Sequence, residues 1–217
     1  MFQKLVPFCT THRNTIIHLF QLGYALLVLV MFFATWAFLS GSPISYTLYT
    51  FGSRLGQASL VLFIIVTLPG ILGRFGVQHP LIPVGIMFRR HTGITMFMVA
   101  LLHALVASTL PTIAVGGSLL PEFGYELFGM LSLAILTPLF LTSNMYSMKK
   151  LGKNWKRIHK LIYVAFWLIM IHVGLQGDKT WTLLIAITGL LEVVSLIVDW
   201  RKKSAAAIPI NPSNTGI

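Results

Sequence analysis

The chain has 217 residues, of which 56% are hydrophobic and only 10% charged. A soluble domain draws roughly a quarter of its residues from the charged types to cover its exterior, so this composition excludes one and indicates an all-α integral membrane protein. The net charge of +11 reads as membrane orientation rather than nucleic-acid binding, and a single cysteine, Cys9, excludes a disulfide framework and a Cys-based metal or iron–sulfur site.

In chain order, a short N-terminal segment (1–14) leads into six apolar segments at 15–39, 55–73, 91–110, 124–146, 158–175 and 180–199. Each approaches the ~20 residues that cross ~30 Å of hydrocarbon at ~1.5 Å per residue. Turn residues separate them at 41–43 (GSP), 79–83 (HPLIP) and 116–124 (GGSLLPEFG). The first segment is too long for a signal-peptide core and is read as a retained helix. The last residues, 201–217, are polar and Pro-containing and are expected to be disordered. No Gly-rich dinucleotide loop follows a strand, so no fused flavin or nicotinamide domain is expected.

The basic residues sort the topology. Six helices put the N-terminus, the 74–90 loop, the 147–160 loop and the C-terminus on one side. Those segments hold fourteen of the sixteen Lys and Arg; only Arg54 and Lys179 fall on the other. By the positive-inside rule the expected architecture is a six-transmembrane-helix bundle over 15–200 with both termini cytoplasmic. The dense run Lys149, Lys150, Lys153, Lys156, Arg157, Lys160 serves as a topology determinant and offers a contact for acidic lipid headgroups or an acidic partner.

Ionisable residues inside a bilayer are costly and mark function. His91 and His103 lie on the third segment, His159 and His172 on the fifth, and both segments run outward from the cytoplasm. The offsets of twelve and thirteen residues correspond to ~18 and ~20 Å. Depth therefore pairs His91 with His159 near the cytoplasm and His103 with His172 toward the outside. Two imidazoles from facing helices suit the axial positions of haem iron, so one or two b-type haems per chain are expected. The alternative is that each histidine simply hydrogen-bonds a neighbouring helix.

Helical phase complicates the inner pair. At ~100° per residue, fourteen residues return to within about 40° of one face, thirteen miss by about 140° and twelve by about 120° the other way. Position 89, fourteen before His103, is Arg89, whose planar fork suits a haem propionate. His91 and Arg89 both stand as candidates at the inner site. His18 is assigned a hydrogen bond to another helix or a cofactor contact, and Glu192 a proton relay or a polar pairing. Gly56-x-x-Ser59-Leu60 and Gly129-x-x-Ser132-Leu133, each preceding a two-histidine helix, suggest an internal repeat.

The motifs Arg89-Arg90-x-x-Gly93 with His103, Leu141-Thr142-Ser143, Lys150-Leu151-Gly152-Lys153-x-Trp155-x-x-x-His159, Tyr163 and Ile171-His172 resemble the ferric reductase-like transmembrane domain superfamily. Within it the pattern is similar to the haem-binding membrane subunits of bacterial periplasmic methionine sulfoxide reductase systems. The resemblance covers about 55–200. It implies a six-helix, multi-pass inner-membrane bundle that carries electrons across the membrane on b-type haem, with His103, His159 and His172 as its functional histidines. It implies a separate cytoplasmic flavin reductase or membrane quinol as donor and an extracytoplasmic reductase subunit as acceptor; FMN or quinone as a further cofactor stays open. Two other functions stay open: direct reduction of ferric chelates or oxygen at the outer face, and a non-redox transporter or assembly factor.

Overall fold

The computed structural model describes residues 4–121 and 124–206, and within them the chain is helix and turn throughout. A short helix α1 (Leu5–Thr11) leads through His12 into α2 (Arg13–Leu39). Then follow α3 (Ile44–Phe75), α4 (Leu81–Ala104), a π-helical turn (Leu105–Thr109) and α5 (Leu110–Ala114). The remaining elements are α6 (Gly124–Leu141), α7 (Met145–Leu151), α8 (Lys153–His159), α9 (Ile162–Leu175) and α10 (Lys179–Ala206). Among the described residues six spans are long and apolar enough to cross a membrane: α2, α3, α4–α5, α6, α8–α9 and α10. The protein is therefore an all-α, multi-pass membrane protein. The outward faces agree: Leu22, Leu26, Leu29, Phe33 and Trp36 form an exposed apolar stripe along α2, a surface suited to lipid.

Several boundaries differ from the sequence expectation. The second span starts at Ile44 rather than 55, so Arg54 lies in a helix and not in a loop. At 32 residues, α3 is ~48 Å long, well beyond the ~30 Å hydrocarbon layer. Its first turns carry Ser45, Tyr46, Thr47, Tyr49 and Thr50 and are helical nonetheless. The expected 74–90 loop contracts to 76–80. Gly76, at φ +82, ends α3 with the Val77 N–H donating to the Leu72 carbonyl at 3.1 Å, a left-handed termination that glycine adopts without a Cβ clash. Arg89, Arg90 and His91 consequently sit within α4, which tolerates Pro83 in its first turn.

The fifth span is broken at Lys160–Leu161 between α8 and α9. The sixth continues through Arg201–Lys203 to Ala206, because Lys203 donates to Asp199 and Lys202 reaches the Arg74 carbonyl at 2.9 Å. The first residues of the expected disordered tail are thus helical, and the rest of it lies outside the described residues.

The core joins spans two to six through Leu60, Phe63, Met96, Phe97, Leu136, Leu139, Phe166 and Ile185. A second cluster, Ala34, Phe38, Leu102, Val106 and Leu110, attaches the first span. Early in α4, Gly85 receives the ring of Pro69 from α3; a Cβ at Gly85 would stand 2.5 Å from Pro69 Cγ. A proline ring cannot swing aside, so Gly85→Ala is expected to push α4 off α3 and destabilise the protein by about 1–3 kcal/mol. Thermal unfolding of the purified variant in detergent checks this; an unchanged midpoint refutes it.

Candidate functional site

His103 occupies the last turn of α4 and His172 the last turn of α9. Their ring centroids lie 6.4 Å apart with the planes 65° from parallel. Each imidazole is anchored by a main-chain carbonyl on another helix. His103 Nδ1 donates to Gly52 O at 2.7 Å, and His172 Nδ1 donates to Tyr125 O at 2.7 Å. A carbonyl only accepts, so both rings carry the proton on Nδ1 and keep the Nε2 lone pair available. The Gln176 side-chain nitrogen stands 3.3 Å from His172 Nε2, a donor suited to that lone pair.

Two glycines make the approach possible. A Cβ at Gly56 would meet His103 at 3.0–3.2 Å, and one at Gly129 would meet His172 Nδ1 and Cε1 at 2.9 Å. The π-helical turn follows directly after His103. Pro111, which has no N–H to offer a preceding carbonyl, follows that turn, and Ala107 on it presses against Gly52 of α3. Such π turns are local helix distortions often found at functional positions.

On the opposite side of the bundle, the LGKxWxxxH segment clamps the end of α6. Gly152, at φ +50, turns the chain from α7 into α8. Trp155 Nε1 donates to Thr142 O at 3.0 Å. Thr142 Oγ1 donates to Pro138 O at 2.6 Å and so accepts from His159 Nε2 at 3.2 Å. The Trp155 and His159 rings lie 4.1 Å apart. The helix break at Lys160–Leu161 falls between His159 and His172.

His91 is buried and turned onto α2, stacked on Phe20 at 5.4 Å. Arg90 Nη2 stands 3.4 Å from its Nε2, and Tyr24 Oη is 3.1 Å from both its Nδ1 and its carbonyl. Arginine only donates, so Nε2 accepts, Nδ1–H donates to Tyr24, and the tyrosine hydroxyl donates to the carbonyl. Both ring nitrogens are engaged. Helical phase explains the outcome: His91 lies about 120° around α4 from the face of His103, while Arg89 returns to within about 40°. Arg89 lies 3.7 Å from where a Gly70 Cβ would stand and close enough to His159 for its charge to act there.

A cavity of about 290 Å³ opens beside this network, lined by Gln21, Tyr24, Arg90, His91, Ser143 and Asn144 among others. His18 bonds Gln21 within α2 at 3.0 Å rather than another helix. Glu192 pairs with Arg74; that partner lies on α3, 118 residues away in sequence, and no local pattern in the sequence points to it.

Comparison with known proteins gives two findings. The family model described as "Ferric reductase like transmembrane component" matches residues 53–170, more than half of the chain. The matched stretch includes Gly56, Arg89, His103, Gly129 and His159 and stops two residues before His172. Proteins named protein-methionine-sulfoxide reductase heme-binding subunit MsrQ, from Brucella ovis, Brucella canis and Brucella suis, are each 36% identical over 97 residues. Those alignments cover 43% of this chain and 44% of each relative, so they span less than half the length of the proteins they match.

Proposed function

Because the chain belongs to the family of ferric reductase-like transmembrane components, we propose that it is a b-type haem subunit carrying electrons from a cytoplasmic donor to an extracytoplasmic acceptor. The acceptor is a reductase of the methionine sulfoxide repair type, the system named in the relatives. The observation that carries this reading is the His103–His172 pair. Metal–imidazole bonds are about 2 Å long, and a ring centre lies a further ~1.1 Å beyond its nitrogen. A metal held by two imidazoles therefore separates the ring centres by about 6 Å, close to the 6.4 Å found.

The residues fit the group. His103 Nε2 is left for a metal, His172 Nε2 is open to one once the Gln176 side chain turns away, both Nδ1 atoms have the carbonyl partner that metal-bound histidines use, and Gly56 and Gly129 leave the rings room. His103 and His172 would hold a haem there, and it would supply a one-electron ferric–ferrous couple. At the inner end, His159 is the second candidate ligand, and Arg89 is placed to pair with a propionate. His91 is assigned to the Arg90–Tyr24 network, whose cavity is where a flavin mononucleotide or quinol donor meets the bundle. The distribution of basic residues supports a reading with both termini on the cytoplasmic side of the inner membrane.

Protein purified from cells supplied with haem is expected to show b-type bands in a reduced-minus-oxidised spectrum. Their absence overturns the reading.

A further inference from the structure

The outer histidine pair rests on one local plan used twice. In α3, the Ser59 hydroxyl donates to the Gly56 carbonyl at 2.8 Å. In α6, the Ser132 hydroxyl donates to the Gly129 carbonyl at 2.7 Å. One helical turn before each glycine lies the carbonyl that accepts the imidazole proton: Gly52 for His103 and Tyr125 for His172, both at 2.7 Å. Each glycine sits beneath the ring anchored by that carbonyl, with closest distances from a built Cβ of 3.0 Å at Gly56 and 2.9 Å at Gly129. Acceptor, glycine and serine recur in the same order and spacing.

We infer that this acceptor–Gly–Ser cassette is a duplicated positioning device, each copy fixing the tautomer and plane of one axial histidine so that the two ligands are equivalent. The inference rests on the haem reading above and deepens it. The carbonyl sets the tautomer and raises the basicity of the opposite nitrogen. The missing Cβ lets the ring lie against the helix backbone. The serine takes up the glycine carbonyl from within its own turn, a back-bond that bends a helix locally. The anchors are main-chain atoms that no side-chain substitution removes, so the glycine and serine are the adjustable parts. Small residues also serve plain helix packing in membranes; packing alone gives no reason for an imidazole carbonyl acceptor one turn before both glycines.

The test uses haem-loaded full-length protein with Gly56→Ala, Gly129→Ala and, as control, Gly23→Ala, where a Cβ meets nothing within 4 Å. Electron paramagnetic resonance and redox titration are the readouts. Each of the first two variants is expected to lose most of the low-spin bis-histidine signal, with similar shifts in midpoint potential, while Gly23→Ala matches wild type. Low-spin wild type with unaltered Gly56→Ala and Gly129→Ala overturns the inference and leaves the haem reading standing. A change in only one of the two overturns the equivalence. Wild type without haem overturns both.

Should the alanine variants fail to insert, Ser59→Ala and Ser132→Ala decide. Matched smaller shifts, restored by Ser→Thr, support the device, and silence in both refutes it. Nitrogen NMR of isotope-labelled histidines in the haem-free protein is expected to show the Nδ1–H tautomer at His103 and His172. The Nε2–H form at either refutes it.

Discussion

His172→Ala is expected to lower bound haem by one equivalent per chain and to remove the low-spin signal of the outer site, and His103→Ala to do the same. Each substitution takes away one of the two imidazoles whose ring centres lie 6.4 Å apart and strands a carbonyl, Tyr125 O or Gly52 O, that had a donor at 2.7 Å. Removing an outer-shell partner of a metal ligand already costs about 10–100-fold in affinity; removing the ligand itself exceeds that. His91→Ala is the informative contrast. Its nitrogens are held by Tyr24 and Arg90, so the haem count is expected to stay at the wild-type value, with a smaller loss of stability from the vacated packing on Phe20. Haem quantified per chain by the pyridine haemochrome method separates the cases. A fall of one equivalent in His91→Ala returns that residue to the inner site; an unchanged count in His172→Ala ends the outer-site assignment.

How far the site was legible before the structure depended on whether a feature is local. Six spans follow from apolar length, and the family from the LGKxWxxxH segment and its neighbours. Helical phase along α4 already favoured Arg89 over His91 on the face of His103, because depth fixes height in the bundle but not direction around the helix. The Gly-x-x-Ser pair was visible as a repeat, yet its role was hidden: the imidazoles it seats come from α4 and α9, 51 and 47 residues from their carbonyl anchors. Boundaries failed at polar helical turns. The polar first turns of α3 and the Arg89–Arg90 turn of α4 are helical because helix hydrogen bonds do not require an apolar surround, whereas the hydropathy used to mark a span does.

Glu192→Ala is expected to destabilise the protein by about 3–5 kcal/mol, the usual cost of leaving one member of a buried ion pair alone. Glu192 is 8% exposed and Ser195 fully buried. Arg74 reaches both, pairing with the carboxylate and donating from Nε to Ser195 Oγ at 2.8 Å, while its carbonyl accepts from Lys202 at 2.9 Å. These contacts fasten α10 to the end of α3. The order of the single variants discriminates. Removing Glu192 leaves the Arg74 guanidinium, which cannot be deprotonated, without its carboxylate, whereas Arg74→Ala removes that permanent charge from the bundle. Glu192→Ala is therefore expected to unfold at the lower temperature in detergent, and Arg74→Met/Glu192→Leu to recover much of the loss, since a buried pair replaced by apolar groups is often neutral. The double-mutant cycle measures the coupling directly. Equal melting of the two single variants refutes this asymmetry. A Glu192→Gln protein that keeps wild-type stability but loses electron transfer makes Glu192 a proton carrier instead of a clamp.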